Sequence, residues 1–263
     1  MFNSGLSMPA FLPLAKRHLG MAVAGMSISL AGYGQNPTNE RLSDRNNNAW
    51  LMYFGDARFT NRWSVHTEFQ YRRTNGLRDP QQYFYRAGLN YHASEKLMLT
   101  AGYVYLLSLP YGDYPDAGRS HERRFYQQVQ LDETYGKLGV MHRFRQEQRW
   151  LRDPGADTYK ISNRSRYRIQ LTMPLKGESG APNNIYVTAY NDLFISYGPN
   201  VKQNIFNQNR LYGAFGYQFT KATSLELGYL YQIVQHDDGQ VFEYNHTLQA
   251  SLTVNPDFRK NKP

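Results

Sequence analysis

The stretch NRSRYRIQLTMP, from Asn163 to Pro174, decides the fold because its residues alternate in character. One parity groups the polar side chains Arg164, Arg166, Arg168, Gln170 and Thr172. The other parity groups Ser165, Tyr167, Ile169, Leu171 and Met173. Successive side chains of a β-strand point to opposite faces of the sheet. The stretch therefore predicts a strand with a guanidinium-rich face and a largely apolar face.

The same alternation recurs along most of the chain, in segments of about ten residues separated by clusters of turn-forming residues. We predict strands at residues 49–59, 63–73, 81–92, 97–107, 122–134, 138–149, 161–173, 185–195, 205–219, 224–235 and 243–254. Soluble proteins usually have strands of about 5–6 residues, whereas a strand that crosses a bilayer needs about 9–11. Mostly short connections alternate with mostly longer polar ones, such as Ser108–His121. This asymmetry is typical of outer-membrane barrels.

The N-terminal residues have the features of an export signal. Lys16, Arg17 and His18 precede an apolar run from Leu19 to Ala31, and small residues follow up to Gly34. We predict a signal peptide at residues 1–34, an N-terminal segment at 35–48, a barrel at 49–255 and a C-terminal tail at 256–263. Cleavage would remove Lys16 and Arg17 and no acidic residue, so the formal charge would fall from +9 to +7.

Alternation alone does not say which face points inward. A soluble sandwich or barrel, with the apolar face inside, is the alternative to a membrane barrel. Strand length, loop asymmetry and the export signal favour apolar side chains directed toward lipid. A sheet that spans lipid must close, because an open edge leaves backbone groups without hydrogen bonds. We therefore predict an all-β fold, a transmembrane antiparallel up-and-down β-barrel with a polar, arginine-rich lumen.

The number of strands is open at this point. Eleven strands are visible in the sequence, whereas bacterial single-chain barrels have an even number. We favour about 12 strands, with a weak extra strand from the segment 35–48, and keep 10 or 11 as alternatives.

Eight pieces of the chain, in their order, resemble the outer-membrane family catalogued as domain of unknown function 2490. The pieces are AWLMYFGDARFTNRWSVHTEFQYR (49–72), YRAGLNYHASEKLMLTAGYVYL (85–106), RFYQQVQL (124–131), HRFRQEQRW (142–150), NRSRYRIQLTMPL (163–175), YVTAYNDLFISYG (186–198), QNRLYGAFGYQFT (208–220) and LELGYLYQ (225–232). The resemblance covers about residues 46–254. It implies a β-barrel in the outer membrane of a Gram-negative bacterium, and it brings no established activity.

The polar faces of the predicted strands supply the candidate functional residues. The lumen-lining candidates are Arg72, Arg86, Arg143, Arg145, Arg164, Arg166, Arg168, Arg210, Glu68, Asp132, Glu147, Asp192 and Glu226. Because unpaired charge in a low-dielectric wall costs several kcal/mol, we expect a cross-lumen network of arginine–carboxylate pairs. Small residues on the same face are expected to leave room for the arginines; they are Gly88, Gly102, Gly139, Ala214, Gly216 and Gly228.

The excess of arginine predicts a narrow channel for small anionic or polar solutes. The alternative is a structural or surface-interaction barrel whose lumen is plugged by paired charges. The expected partners are outer-membrane lipid, lipopolysaccharide and small anionic solutes, and nucleic acid is not expected outside the cytoplasm.

Other chemistries have weaker support. Outer-membrane lipid hydrolases use a His-x-Ser pair, and His92-Ala93-Ser94 has that spacing, but it lies in a predicted turn. A lipid hydrolase is therefore the third hypothesis, after the channel and the plugged barrel. We do not expect the protein to be an enzyme. His66 and Glu68 share a face without forming a ligand set of three or four, so we predict no metal site and no cofactor. The chain has no cysteine and hence no disulfide.

Overall fold

Eleven strands close into a single barrel in the computed structural model, which describes residues 41–259. The strands are β1 Leu42–Arg58, β2 Trp63–Thr74, β3 Asp79–His92, β4 Leu97–Ser108, β5 Ser120–Tyr135, β6 Leu138–Arg152, β7 Lys160–Pro174, β8 Asn184–Tyr197, β9 Phe206–Gln218, β10 Thr223–Gln235 and β11 Val241–Val254. Within residues 41–259, no helix is long and apolar enough to cross a membrane. The predicted signal peptide at residues 1–34 lies outside the described part of the chain.

Each strand pairs in antiparallel fashion with its neighbours in sequence, except where the barrel closes. There β1 pairs with β11 in parallel, from Leu42 opposite Val241 to Gly55 opposite Val254. An up-and-down sheet with an odd number of strands begins and ends in the same direction, so its closing pair has to be parallel. The count of eleven is one of the alternatives that the sequence left open, and the favoured count of 12 is one too many. The expectation of antiparallel pairing throughout is wrong at this one seam.

Part of the N-terminal segment 35–48 extends β1 and does not form a separate strand. Its inward side chains are Asp44, Asn46 and Asn48, and its outward side chains are Ser43, Arg45 and Asn47. Both faces of this part of the strand are polar, so its sequence shows no alternation of character. Pairing with residues 241–247 of β11 holds these residues in the barrel.

The distribution of side chains over the barrel is the reverse of that in a water-soluble protein, with apolar residues outside and polar residues inside. The outer surface presents large apolar side chains, of which Phe215 is 66% exposed and Leu248 is 69% exposed. In the interior, buried polar side chains outnumber buried apolar ones, and Glu147 and Thr247 have no exposed surface. Water-soluble proteins bury apolar residues and rarely bury charged ones.

The two ends of the barrel differ in their connections. At one end, here called the turn end, the connections are residues 59–62, 93–96, 136–137, 175–183 and 219–222. At the other, here called the loop end, they are residues 75–78, 109–119, 153–159, 198–205 and 236–240. β1 begins at the loop end, and β11 finishes at the turn end.

Candidate functional site: an arginine-rich lumen

The barrel encloses a cavity of about 850 Å³ whose lining extends from Asp56 and Thr253 near the turn end to Tyr111 and His236 at the loop end. Ten arginines line it: Arg72, Arg86, Arg124, Arg143, Arg145, Arg149, Arg164, Arg166, Arg168 and Arg210. These include all eight arginines that the sequence predicts for the lumen. Strand alternation places them there, because each shares its parity with the buried side chains of its strand.

Glu147 on β6 is the carboxylate on which four of these arginines converge. It accepts hydrogen bonds from Nε and Nη2 of Arg164, at 2.9 and 2.6 Å, and from Nη1 of Arg166 at 3.0 Å. The guanidinium nitrogens of Arg124 and Arg145 lie 3.9 and 4.0 Å from its oxygens. Glu147 and Arg164 are direct partners in the β6–β7 register, which brings the opposite charges together.

Asp192 on β8 is a second centre of the network. Its Oδ2 accepts hydrogen bonds from Nη2 of Arg166 at 2.7 Å and from Nη2 and Nε of Arg168 at 2.7 and 3.1 Å. Arg166 therefore bridges Glu147 and Asp192. This bridge joins β6, β7 and β8 through one continuous set of charge-assisted hydrogen bonds.

Two further carboxylates hold arginines elsewhere on the wall. Glu122 accepts hydrogen bonds from Nε and Nη2 of Arg124, at 2.6 and 2.7 Å, and forms an ion pair with Arg149. Glu68 forms an ion pair with Arg86. Both carboxylates are buried, so their charges depend on these partners.

The sequence analysis did not include Glu122, Arg124 or Arg149 among the lumen candidates. The alternation of the sequence does place all three on the inward faces of their strands. Glu122 and Arg124 share their parity with Asp132 on one strand, and Arg149 shares its parity with Arg143 on the next.

Two predicted acidic residues depart from the expected pairing with arginine. Asp132 is on the polar face of β5 but is exposed near the turn end, where Nε2 of Gln130 donates to it at 2.9 Å. Glu226 accepts hydrogen bonds from the hydroxyls of Tyr186 at 3.0 Å and Tyr212 at 3.3 Å. The register places the small residue Gly216 beside Glu226, and the Tyr186 ring covers that space.

The sequence analysis expected the small inward residues to make room for arginines, but a tyrosine side chain occupies the space at Gly88, Gly102, Gly216 and Gly228. A Cβ on Gly102 would lie 2.6 Å from Cε1 of Tyr126, and one on Gly228 would lie 2.6 Å from Cε2 of Tyr212. Gly139 differs, since its nearest neighbour would be a backbone oxygen at 3.5 Å. The absence of a side chain at the other four glycines thus leaves space at the barrel wall for the tyrosine rings.

Aromatic faces support several guanidinium groups that the carboxylates leave free. Within residues 41–259, Arg72, Arg143 and Arg210 form no ion pair with a carboxylate. Arg72 lies 4.0 Å from the centre of the Trp50 ring, and Arg210 lies 5.0 Å from that of Phe194. Such cation–π contacts hold a charge in place without neutralising it.

The loop 109–119 folds over the loop end of the lumen. The hydroxyl of Tyr111 donates to Oε2 of Glu243 on β11 at 2.7 Å, and Nε2 of His236 lies 2.6 Å from Oε1 of the same carboxylate. Burial raises the pKa of Tyr111 well above its usual range. The hydrogen bond to Glu243 raises the pKa of His236. Both shifts favour a protonated Tyr111 and a charged His236 around Glu243.

The structure does not form the His92–Ser94 pair. Nε2 of His92 lies 2.9 Å from Oγ of Ser64, whereas Oγ of Ser94 accepts hydrogen bonds from the backbone N–H groups of Lys96 and Leu97. Ser94 therefore stabilises its own turn. In the described part of the chain, no three His, Cys, Asp or Glu side chains are grouped so that they could hold a metal ion.

Comparison with known proteins places the chain in a family. No curated protein and no solved structure matches it. A family model described as "Protein of unknown function (DUF2490)" matches residues 47–243, which extend from β1 into β11. The chain therefore belongs to this family of proteins of unknown function.

Proposed function

We propose that the protein is a Gram-negative outer-membrane β-barrel whose lumen is a narrow channel for small anionic or polar solutes. The observation that carries the proposal is that the arginines of the cavity wall outnumber the carboxylates that bind them. Ten arginines line the cavity, whereas the carboxylates that pair with them are Glu68, Glu122, Glu147 and Asp192. Counted with Lys160 and Lys202, with all the acidic side chains of the lining and with Glu147 and Asp192, the wall has twelve cationic and ten anionic groups. Rings of cationic side chains give pores a preference for anions.

The outer surface supports insertion in a membrane. The strands have between 12 and 17 residues, which exceeds the roughly 9–11 that cross a bilayer. Exposed aliphatic and aromatic side chains cover the outside of the barrel, and acyl chains of lipid would cover them in turn. Cell fractionation with detergent extraction tests this step. Recovery of the protein in a detergent-free soluble fraction would refute it.

Recording from the purified protein in planar bilayers tests the channel. We expect a small conductance whose reversal potential in a KCl gradient shows preference for chloride. Arg143→Gln should reduce that preference, because Arg143 faces the cavity without a carboxylate partner. Arg73→Gln is the matched control, since Arg73 lies on the outward parity of β2 and donates to Tyr71. No conductance above background across a salt series would refute the channel.

A plugged structural or surface-interaction barrel is the second candidate. The observation that favours it is the network in which Arg166 bridges two buried carboxylates, together with the loop 109–119 over one mouth. Such a lumen would exclude ions altogether. The same recordings decide between the two candidates, because only the channel gives a conductance.

A further inference from the structure

The register of β6 and β7 puts like charges opposite each other. Arg143 is the partner of Arg168, and Arg145 is the partner of Arg166. Like charges in directly opposed positions destabilise a sheet. Asp192 binds the β7 arginine of each pair, Arg166 and Arg168, and so compensates only one side of each pair. On β6, Arg143 is left without a carboxylate partner among the described residues, and Arg145 has only Glu147, at 4.0 Å.

Arg145 has bonding capacity that no described residue uses. Its Nε and Nη2 donate to Oε1 of Gln128, a neutral amide, at 2.9 and 2.6 Å. Its Nη1 is buried, forms no hydrogen bond within residues 41–259 and lies 4.0 Å from Glu147. Arg143, two residues away on the same face, has no ion pair among the described residues. Leaving a charged donor unbonded in the interior costs free energy.

Tyr126 and Arg86 each add one more donor at the same place. The Tyr126 ring lies on Gly102, and the guanidinium carbons of Arg86 and Arg145 are 5.3 and 4.9 Å from the ring centre. Tyr126 is only 1% exposed, yet its hydroxyl has no hydrogen-bond partner in the described chain. Nε of Arg86 is also buried and without a partner there. These side chains and Arg143 all line the cavity.

Buried donors that remain unbonded in a native structure point to a missing acceptor. We propose that Arg86, Arg143, Arg145 and the hydroxyl of Tyr126 form a binding site for a small oxyanion with two negative charges. Arg143 has no carboxylate partner and Arg145 has no hydrogen-bonded one, so these two arginines set the charge of the ligand. Their free guanidinium N–H groups can donate charge-assisted hydrogen bonds to the oxygens of a phosphate-like group. The site rests on the proposed function in one respect, because the lumen must admit small anions from solution.

Calorimetric titration of the full chain in detergent micelles tests the site, with inorganic phosphate as the probe. We expect saturable binding of phosphate. Sodium chloride at the same ionic strength is the control for screening, and it should give no saturable heat. Equal responses to phosphate and chloride would overturn the proposal, and this comparison needs no variant.

Substitutions locate the site. Arg145→Gln removes a charged donor, so the phosphate affinity should fall at least about tenfold. Tyr126→Phe keeps the ring and removes the hydroxyl, so we expect a smaller loss. Arg73→Gln, on the outward face of β2, is the matched control and should bind phosphate as the parent protein does. Unchanged affinity in Arg145→Gln, or an equal loss in Arg73→Gln, would overturn the assignment.

The result of the phosphate-binding test can be distinguished from the result of the channel recordings. Phosphate binding without any conductance in planar bilayers would refute the channel and support the site. Conductance without saturable phosphate binding would support the channel and refute the site.

Discussion

The carboxylate of Glu147 has no exposed surface and lies against four guanidinium groups. Glu147→Gln preserves the shape of the side chain and removes its charge, so the surrounding arginines lose their shared partner. Breaking a buried ion pair from one side costs roughly 3–5 kcal/mol. We expect a decrease of that size in the free energy of unfolding, measured by denaturant titration in detergent. Glu95→Gln, in an exposed turn, is the control, and an equal effect in both variants would contradict the network.

Gly102 is small because the Tyr126 ring lies on it. Gly102→Ala would place a Cβ against the backbone oxygen of Ala87 and 2.6 Å from that ring, so the strand backbone as well as the ring must move. Overpacking of this kind costs about 1–3 kcal/mol. Thermal unfolding should therefore occur at a lower temperature. Gly139→Ala is the matched control on the same inward face, where the nearest atom would be 3.5 Å away. Equal melting temperatures in the two variants would show that the ring is not held there.

Residue parity could be predicted from the sequence, but contacts between strands could not. Alternation alone indicates that Arg164, Arg166 and Arg168 share the inward face. It does not indicate that Asp192 binds two of them, because that depends on the register between β7 and β8. The tyrosine partners of Glu226 were missed for the same reason. They belong to strands whose relative offset is set by turn geometry and packing.

At the scale of elements, all eleven predicted strands are present, with ends that differ by a few residues, except at the start of β1. The prediction began at residue 49, whereas the strand begins at Leu42. Residues 43–48 are polar on both faces, and alternation is the only signal by which the strands could be recognised. Their strand conformation comes from pairing with β11, which is close in space and remote in sequence.

The loop 109–119 is fastened to β11 by the hydrogen bond from Tyr111 to Glu243. Tyr111→Phe removes this bond to a charged acceptor, which is worth roughly 1.5–3 kcal/mol, so the loop should open at least about tenfold more often. Limited trypsin digestion should then cleave after the exposed Arg119 correspondingly faster, with the site identified by mass spectrometry. Tyr114→Phe, an exposed tyrosine of the same loop, should leave the rate unchanged. Equal rates in both variants would contradict the fastening.

At the scale of the whole molecule, the parallel seam between β1 and β11 could not be read from the sequence. The expectation of an even number of strands came from other barrels. The sequence of a strand does not indicate whether its partner runs parallel or antiparallel to it. Closure still follows from simple physics, since eleven strands with apolar outer faces leave two unpaired edges unless the first and last strands meet.

Cysteine crosslinking tests the seam, because the chain has no cysteine of its own. Asn47 and His246 are exposed partners in the parallel register. Asn47→Cys combined with His246→Cys should form a disulfide on oxidation, since paired strands bring their Cα atoms within the roughly 4.4–6.8 Å that a disulfide needs. Asn47→Cys combined with Leu252→Cys is the control, displaced by roughly 20 Å along β11. A crosslink in the control and none in the first pair, judged on denaturing gels, would rule out this register.

An odd number of crossings leaves a polypeptide on the far side from where it started. In the proposed membrane, the first residue of β1, Leu42, lies on the same side as the long loops, and the last residue of β11, Val254, lies on the same side as the short turns. An even-stranded barrel returns both of its termini to one compartment. If the barrel lies in the proposed outer membrane with its long loops outside the cell, a protein fused directly to the start of β1 would be displayed on the cell surface and one fused directly to the end of β11 would be held in the periplasm.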